Sequence, residues 1–329
     1  MPHDFVFDKK ISDLIERPST IAAKFVERGI VALRGHEYTE EDLLNLAAKI
    51  GEITGAFTPG VRAKPTDPVG DSWRYHQVHD QQISWCIEAE QNSTDHDLIE
   101  WHLEGVSLRN SQHASIWHMY HFTAEKGTGN TGFVDMQMVV DQLPEHYKSF
   151  LESATIIHFP NWQHQPDSFD EFRSTFQSKV NHGRDVVWTA DGPNYVASFA
   201  RKAIATNPNT GKATLRVCPC CVANGPQDFI TLVNGNPASE TDRALFREIF
   251  QWVEETVKRT ESNQIWWAWE QGDAVIPDLY RMAHGVKAGF EPGQRSFWGY
   301  WCYPFGTPAE PSDTISEEEY GKYLADLGL

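Results

Sequence analysis

His102 and Glu104, in the run Glu100-Trp101-His102-Leu103-Glu104-Gly105, are two residues apart. On a β-strand successive side chains point to opposite faces, so an imidazole and a carboxylate at this spacing converge on one point. That is the beginning of a metal site. A third candidate ligand is His284, within Asp278-Leu279-Tyr280-Arg281-Met282-Ala283-His284-Gly285, and Arg295 follows it eleven positions on. Two histidines and one carboxylate with coordination positions left open form the facial arrangement associated with non-haem Fe(II) oxygenases. The same three groups could also serve a metal-dependent hydrolase, which would need a general base and gives Arg295 no role.

Other histidines compete for the assignment. His113, His118 and His121 lie between Glu104 and Thr131, but Tyr120 and Thr123 stand where a carboxylate two residues after His118 or His121 would be needed. A histidine-rich stretch without a third partner makes a poor metal site. His76 and His79 read as exposed or hydrogen-bonded residues. Cys218-Pro219-Cys220-Cys221 lacks the spacing and the second pair of a structural zinc site, and reads as strand cysteines packed as small apolar groups.

The elements that must position these groups are legible in part. Residues 19–29 read as a helix capped by Ser19 or Thr20 and closed by Gly29, and Ile30–Leu33 as a buried strand. Thr39 with Asp42 resembles a capping box. Leu43, Leu46, Ala47 and Ile50 give the next helix one apolar face, with Gly51 ending it. Residues 57–73 read as a surface loop, and Ile83–Ile87 as a strand. Asp135 caps a helix through Gln142, and Pro144 suits the first turn of the next. Residues 160–205, with Trp162, His164, Trp188 and Tyr195 among Gly, Pro, Asn and Asp, read as a segment that helps cover the site, or as a separate small lobe of no catalytic role. Asn207–Lys212 is a turn between paired strands, and Thr241 and Asp242 open a helix. Ile265–Glu270, Ala274–Ile276 and Gln294–Tyr303 are strand candidates, and residues 316–329 a short acidic helix. Many short strands and few long helices predict a mainly β chain with peripheral helices, a double-sheet jelly roll (double-stranded β-helix).

Composition narrows the function classes. The 329 residues are enough for a sizeable core, and 40% hydrophobic against 22% charged residues is globular. With 46 acidic and 28 basic residues the formal charge is −18, which disfavours nucleic acid and anionic membranes as partners. There is no apolar run of membrane-spanning length and no signal-peptide pattern, so a cytoplasmic protein is expected. Five cysteines do not describe a disulfide framework.

Several motifs in order resemble the taurine dioxygenase family. They are Gly29-Ile30-Val31-Ala32-Leu33-Arg34-Gly35, His102-x-Glu104, Gly129-x-Thr131, Asn207-Pro208-Asn209-Thr210-Gly211 through Leu215, and a closing set of Gly272-Asp273, Asp278, His284 and Arg295. Together they span most of residues 25–301. The resemblance implies one catalytic domain over residues 1–329, with Fe(II) held by His102, Glu104 and His284. It implies 2-oxoglutarate as cosubstrate, held at its far carboxylate by Arg295 with help from Thr131, and O2 as oxidant. The expected activity is hydroxylation of a small molecule with release of succinate and CO2; desaturation or ring closure by the same cofactors and a non-catalytic jelly-roll binding protein are the alternatives. Asp273 and Asp278 resemble residues that orient a ligand or form a turn. Related halogenases have a small residue where Glu104 stands. Taurine dioxygenase places a second arginine four residues after the first to grip a sulfonate; here that place is Gly299. The His-x-Glu form is also similar to the clavaminate synthase branch. The expected substrate is therefore a neutral or cationic small molecule such as an amino acid or derivative, unless Arg109 or Arg281 supplies a cation.

Overall fold

The computed structural model describes residues 4–59, 97–104, 106, 112–156, 185–189, 192–197, 201–218, 231–259, 263–287, 289–290 and 294–304. Its strands are β1 (Val6–Phe7), β2 (Ile30–Leu33), β3 (Thr58–Pro59), β4 (Asp97–His102), β5 (Ala114–Phe122), β6 (Thr131–Asp135), β7 (Ala154–Ile156), β8 (Asp185–Thr189), β9 (Gly192–Ala197), β10 (Arg201–Lys202), β11 (Ile204–Thr206), β12 (Ala213–Leu215), β13 (Thr231–Val233), β14 (Asn236–Pro237), β15 (Gln264–Trp267), β16 (Ala274–Pro277), β17 (Met282–Lys287) and β18 (Arg295–Tyr303). The helices are α1 (Ile11–Glu16), α2 (Pro18–Arg28), α3 (Glu40–Thr54), α4 (Met136–Gln142), α5 (Glu145–Ser153) and α6 (Glu240–Arg259).

Two sheets matter for the site. A six-stranded sheet runs β1-β2-β16-β5-β18-β3, and a four-stranded sheet runs β15-β6-β17-β4. Strand alternation explains why β2 is apolar throughout. Ile30 and Ala32 face inward and share a core with Met119 and Val275 of the same sheet and Phe133, Trp267 and Met282 of the other. Val31 and Leu33 face outward, packing with Ala114, Ile116 and Ile276 under Phe25 of α2 and Leu43, Leu46 and Ile50 of α3. The outer side of the four-stranded sheet offers Trp101, Leu103, Val134 and Ala283 to Val139 and Val140 of α4, Leu151 of α5 and Phe246, Ile249 and Val253 of α6. These two sheets face each other with helices outside, beside a second four-stranded sheet, β10-β7-β13-β14, and the pairs β11-β12 and β8-β9; none of the described helices is long and apolar enough to cross a membrane.

Local chemistry sets the helix ends. α2 begins at Pro18, one residue before the expected caps, because proline's fixed φ and missing N–H suit the first helical position. Its closing residue, Gly29, adopts φ 71°. The Thr39–Asp42 capping box forms in full. Gly51 does not end α3: the helix runs to Thr54 and Gly55 takes the left-handed position, φ 71°. Gly51 instead lets the backbone carbonyl of Phe57 press onto the helix, where a Cβ would overlap it. Asp135 caps α4 by accepting from Gln137 N, and Pro144 is the capping residue of α5. Ser239 and Asp242 bond each other's backbone N–H at the start of α6, so that helix opens at Glu240 rather than Thr241.

The expected strand at 83–87, most of the 57–73 loop, His76, His79, Arg109, Trp162, His164, Cys220, Cys221 and the acidic tail lie outside the described residues. Of the 160–205 segment, Trp188 and Tyr195 fall on the β8–β9 hairpin. Its last residues pair with the body of the protein, β10 with β7 and β11 with β12. Cys218 and Cys302 are buried. Cys218 follows β12 outside any strand.

Candidate active site

β17 lies between β6 and β4, an edge strand among the described residues. Its antiparallel register sets His284 directly opposite His102, and the two rings stand 4.1 Å apart. Glu104 comes just past the end of β4 and turns its Oε2 to 3.8 Å from His102 Nε2 and 3.9 Å from His284 Nε2. One ligand atom from each residue fits within 4.8 Å of the others, a gathering of three His, Cys, Asp or Glu found once among the described residues. Ligand atoms each about 2.1 Å from an ion sit about 3 Å apart, so small side-chain rotations bring the trio to coordination distance. Burial lowers the His284 pKa well below the ordinary 6.5, the facing His102 adds to the shift, and backbone contact with Met282 opposes it. Neutral imidazole is the form that binds a metal. The donor set, two imidazoles and a carboxylate, fits a divalent ion such as Fe(II).

Gly132 fixes the strand that carries His102. It sits on β6 opposite Gly285, and a Cβ there would run into the Trp101 ring and come within 2.8 Å of Trp266. The two indoles meet edge to face at 5.2 Å over this gap, so Trp101 is locked beside the ligand that follows it.

A second polar focus lies toward the start of β6. Thr131 pairs with Val286, two residues from His284. Its hydroxyl oxygen accepts from Trp269 Nε1 at 2.9 Å and from Arg295 Nη2 at 3.1 Å. Arg295 comes from β18 of the other sheet and is 3% exposed; Phe290 and Trp269 flank its guanidinium at 5.6 and 5.9 Å. A dry guanidinium beside a hydroxyl suits a carboxylate. Gly129 leaves the room: a Cβ there would lie 2.8 Å from Phe290.

Beside His284 is an aromatic wall that the sequence did not announce. Phe133, opposite His284, stacks on Trp117 of β5 at 5.6 Å, and Trp117 meets the His284 ring edge-on at 5.0 Å. Trp117 pairs with Gly299, where a Cβ would be 3.1 Å from its Cδ1. The space at Gly299 is therefore taken up by the Trp117 indole. Aromatic residues at inward positions of adjacent strands were the available signal, but it needs the register to be read.

Other candidates are placed elsewhere. Asp273 pairs with Arg34 at 2.6 Å and accepts from Glu270 N. Asp278 accepts from Asn207, Asn209 and the Tyr280 backbone. Both act as turn-formers. Arg281, considered above as a substrate cation, is spent on the Val26 and Glu27 carbonyls and Gln137. His113 is bonded to Ala56 O at 2.9 Å, and His118 is buried on β5 with a lowered pKa; neither joins the His102 cluster.

A family model described as "Taurine catabolism dioxygenase TauD, TfdA family" matches residues 4–301. A comparison with curated protein sequences finds no match. Among solved structures the chain is similar to AAD-2 in complex with Mn(II) and N-oxalylglycine, at 12% identity and TM-score 0.56, covering 96% of this chain and 98% of that one. It is also similar to a taurine dioxygenase from Burkholderia xenovorans, at 14% identity and TM-score 0.56, covering 96% and 90%. At these identities the likeness is one of fold.

Proposed function

The chain belongs to the taurine catabolism dioxygenase TauD, TfdA family and is an Fe(II)- and 2-oxoglutarate-dependent dioxygenase, and from that premise we propose that it hydroxylates an unactivated C–H bond of a small molecule at the His102–Glu104–His284 cluster. The two facing sheets are read as the family's jelly roll. The observation that carries the site assignment is the three ligand atoms within 4.8 Å, on the same four-stranded sheet as the Thr131 end of the Thr131–Arg295 pair.

His102, Glu104 and His284 would hold Fe(II), leaving about three of six octahedral positions open. When bound, the iron, 2-oxoglutarate and O2 supply oxidative decarboxylation to succinate and CO2 coupled to insertion of oxygen into the C–H bond. Arg295 grips the far carboxylate of 2-oxoglutarate. The Thr131 oxygen already accepts two hydrogen bonds, so its own proton is left to donate to that carboxylate. N-oxalylglycine, seen in a neighbour, also has a carboxylate at each end of a short chain, which supports this reading. Glu104 keeps the third ligand position filled by the protein.

The test is metal content and turnover. His102→Ala and His284→Ala variants, shown to be folded, should lose bound iron and succinate formation; wild-type values of both would refute the assignment.

For the substrate, a neutral or cationic small molecule, an amino acid or derivative, is the reading favoured by Gly299 and Trp117. The wall beside His284 is aromatic, able to meet a cation or a ring by its face, and Arg281 is committed to backbone carbonyls. A screen of metabolites for stimulated succinate release decides it. Amines or amino acids should give the fastest turnover, and taurine or another small sulfonate outpacing them all would overturn the reading.

A further inference from the structure

We propose that the buried thiol of Cys218 is a positioning group for the metal ligands, setting the peptide that joins His102 to Glu104. This rests on the metal assignment above. Leu103 stands between the two ligands, and its backbone N–H donates to Cys218 Sγ at 3.5 Å, from 115 residues away in the chain.

The bond falls where the sheet stops helping. Among the described residues β4 is an edge strand of its sheet, and its last registered pair with β17 is His102 with His284. Leu103 lies one residue beyond, 3% exposed, in a place where a donor without an acceptor is costly. The sulfur supplies the acceptor. The dihedrals of Leu103 decide the angle between the His102 and Glu104 side chains, so holding this peptide holds the first two ligands relative to each other.

The thiol is itself well anchored. Cys218 is 2% exposed and packs in the cluster that includes Trp101, Leu103 and Ala283, residues adjacent in sequence to all three ligands. Pro219 follows it, which disfavours helical backbone at Cys218.

Valine and threonine have nearly the same shape and differ in the acceptor, so they separate packing from hydrogen bonding. Co(II) is titrated into metal-free wild type, Cys218→Val and Cys218→Thr, following the visible Co(II) bands, with melting of each metal-free protein recorded. The expected result is a Kd raised about 10-fold or more in Cys218→Val, in the range seen when the surroundings of metal ligands are altered. An altered band shape should accompany it, with most of the loss recovered in Cys218→Thr. Should Cys218→Val fail to fold, Cys218→Ala and Cys218→Ser give the same comparison. Equal Co(II) affinity in wild type and valine variant, or equal weakness with and without the hydroxyl, overturns the proposal. A wild type that binds no Co(II) refutes the metal assignment first, and this proposal with it.

Discussion

Thr131 is the joint between the two sheets, its oxygen taking one hydrogen bond from Trp269 and one from Arg295. Thr131→Val removes that acceptor and strands a buried indole N–H, so the KM for 2-oxoglutarate should rise several-fold. Arg295→Gln removes charge and fork together and should raise it at least ~10-fold, or ~1.4 kcal/mol for a charge-assisted pair. Steady-state kinetics with varied 2-oxoglutarate checks both, and an unchanged constant in the arginine variant would move the carboxylate site elsewhere. His102 and Glu104 were legible because their convergence is local, although Glu104 stands just past the strand that the two-residue spacing assumed. Arg295 was legible only through its resemblance to a family position. Trp117 was not, because His284 lies on the facing sheet and the pairing of Trp117 with Gly299 follows a bulge: Ser296 pairs with His121 but Phe297 with Met119. The extra residue, Tyr120, keeps Trp117 opposite Gly299. No local pattern reveals such a slip.

Among the elements, α3 shows where composition misleads. A glycine at the end of an apolar periodicity reads as a helix stop, yet Gly51 is inside the helix because the chain returning through Phe57 needs the space. Gly51→Ala should therefore destabilise by at least ~2 kcal/mol through overpacking against backbone, whereas an ordinary helix-interior glycine would gain from alanine. Urea unfolding distinguishes the two signs. The caps at Thr39 and Asp135 were readable because each is settled within three residues. The turn after β16 has a different dependence. Burial is the main cause raising the Asp278 carboxyl from 3.8 to about 6, against the opposing pull of Arg281, Asn207 and Asn209. The folded state then holds the proton more tightly than the unfolded chain. That contribution to stability is complete below about pH 4 and is lost as pH rises through about 6. In Asp278→Asn this titration is absent. The wild-type-minus-variant difference in unfolding free energy should fall by about 2–4 kcal/mol between pH 4 and pH 7, and a difference that stays flat would refute it.

For the molecule as a whole, the sheet order was beyond the reach of periodicity. The antiparallel match of β2 with β16 sets Ile30 beside Pro277 and Leu33 beside Ala274, and nothing in either stretch names the other. The pairing of His102 with His284 is of the same kind, and it has a consequence for how the protein is made. Under the assignment proposed above, a chain still short of β17 carries His102 and Glu104 but not His284, the third ligand of the cluster. The centre comes into being when β17 slots between β6 and β4, after most of the polypeptide has been synthesised. Under that assignment, choice of metal is deferred to the completed fold, and chains that end short of β17 lack the full set of ligands.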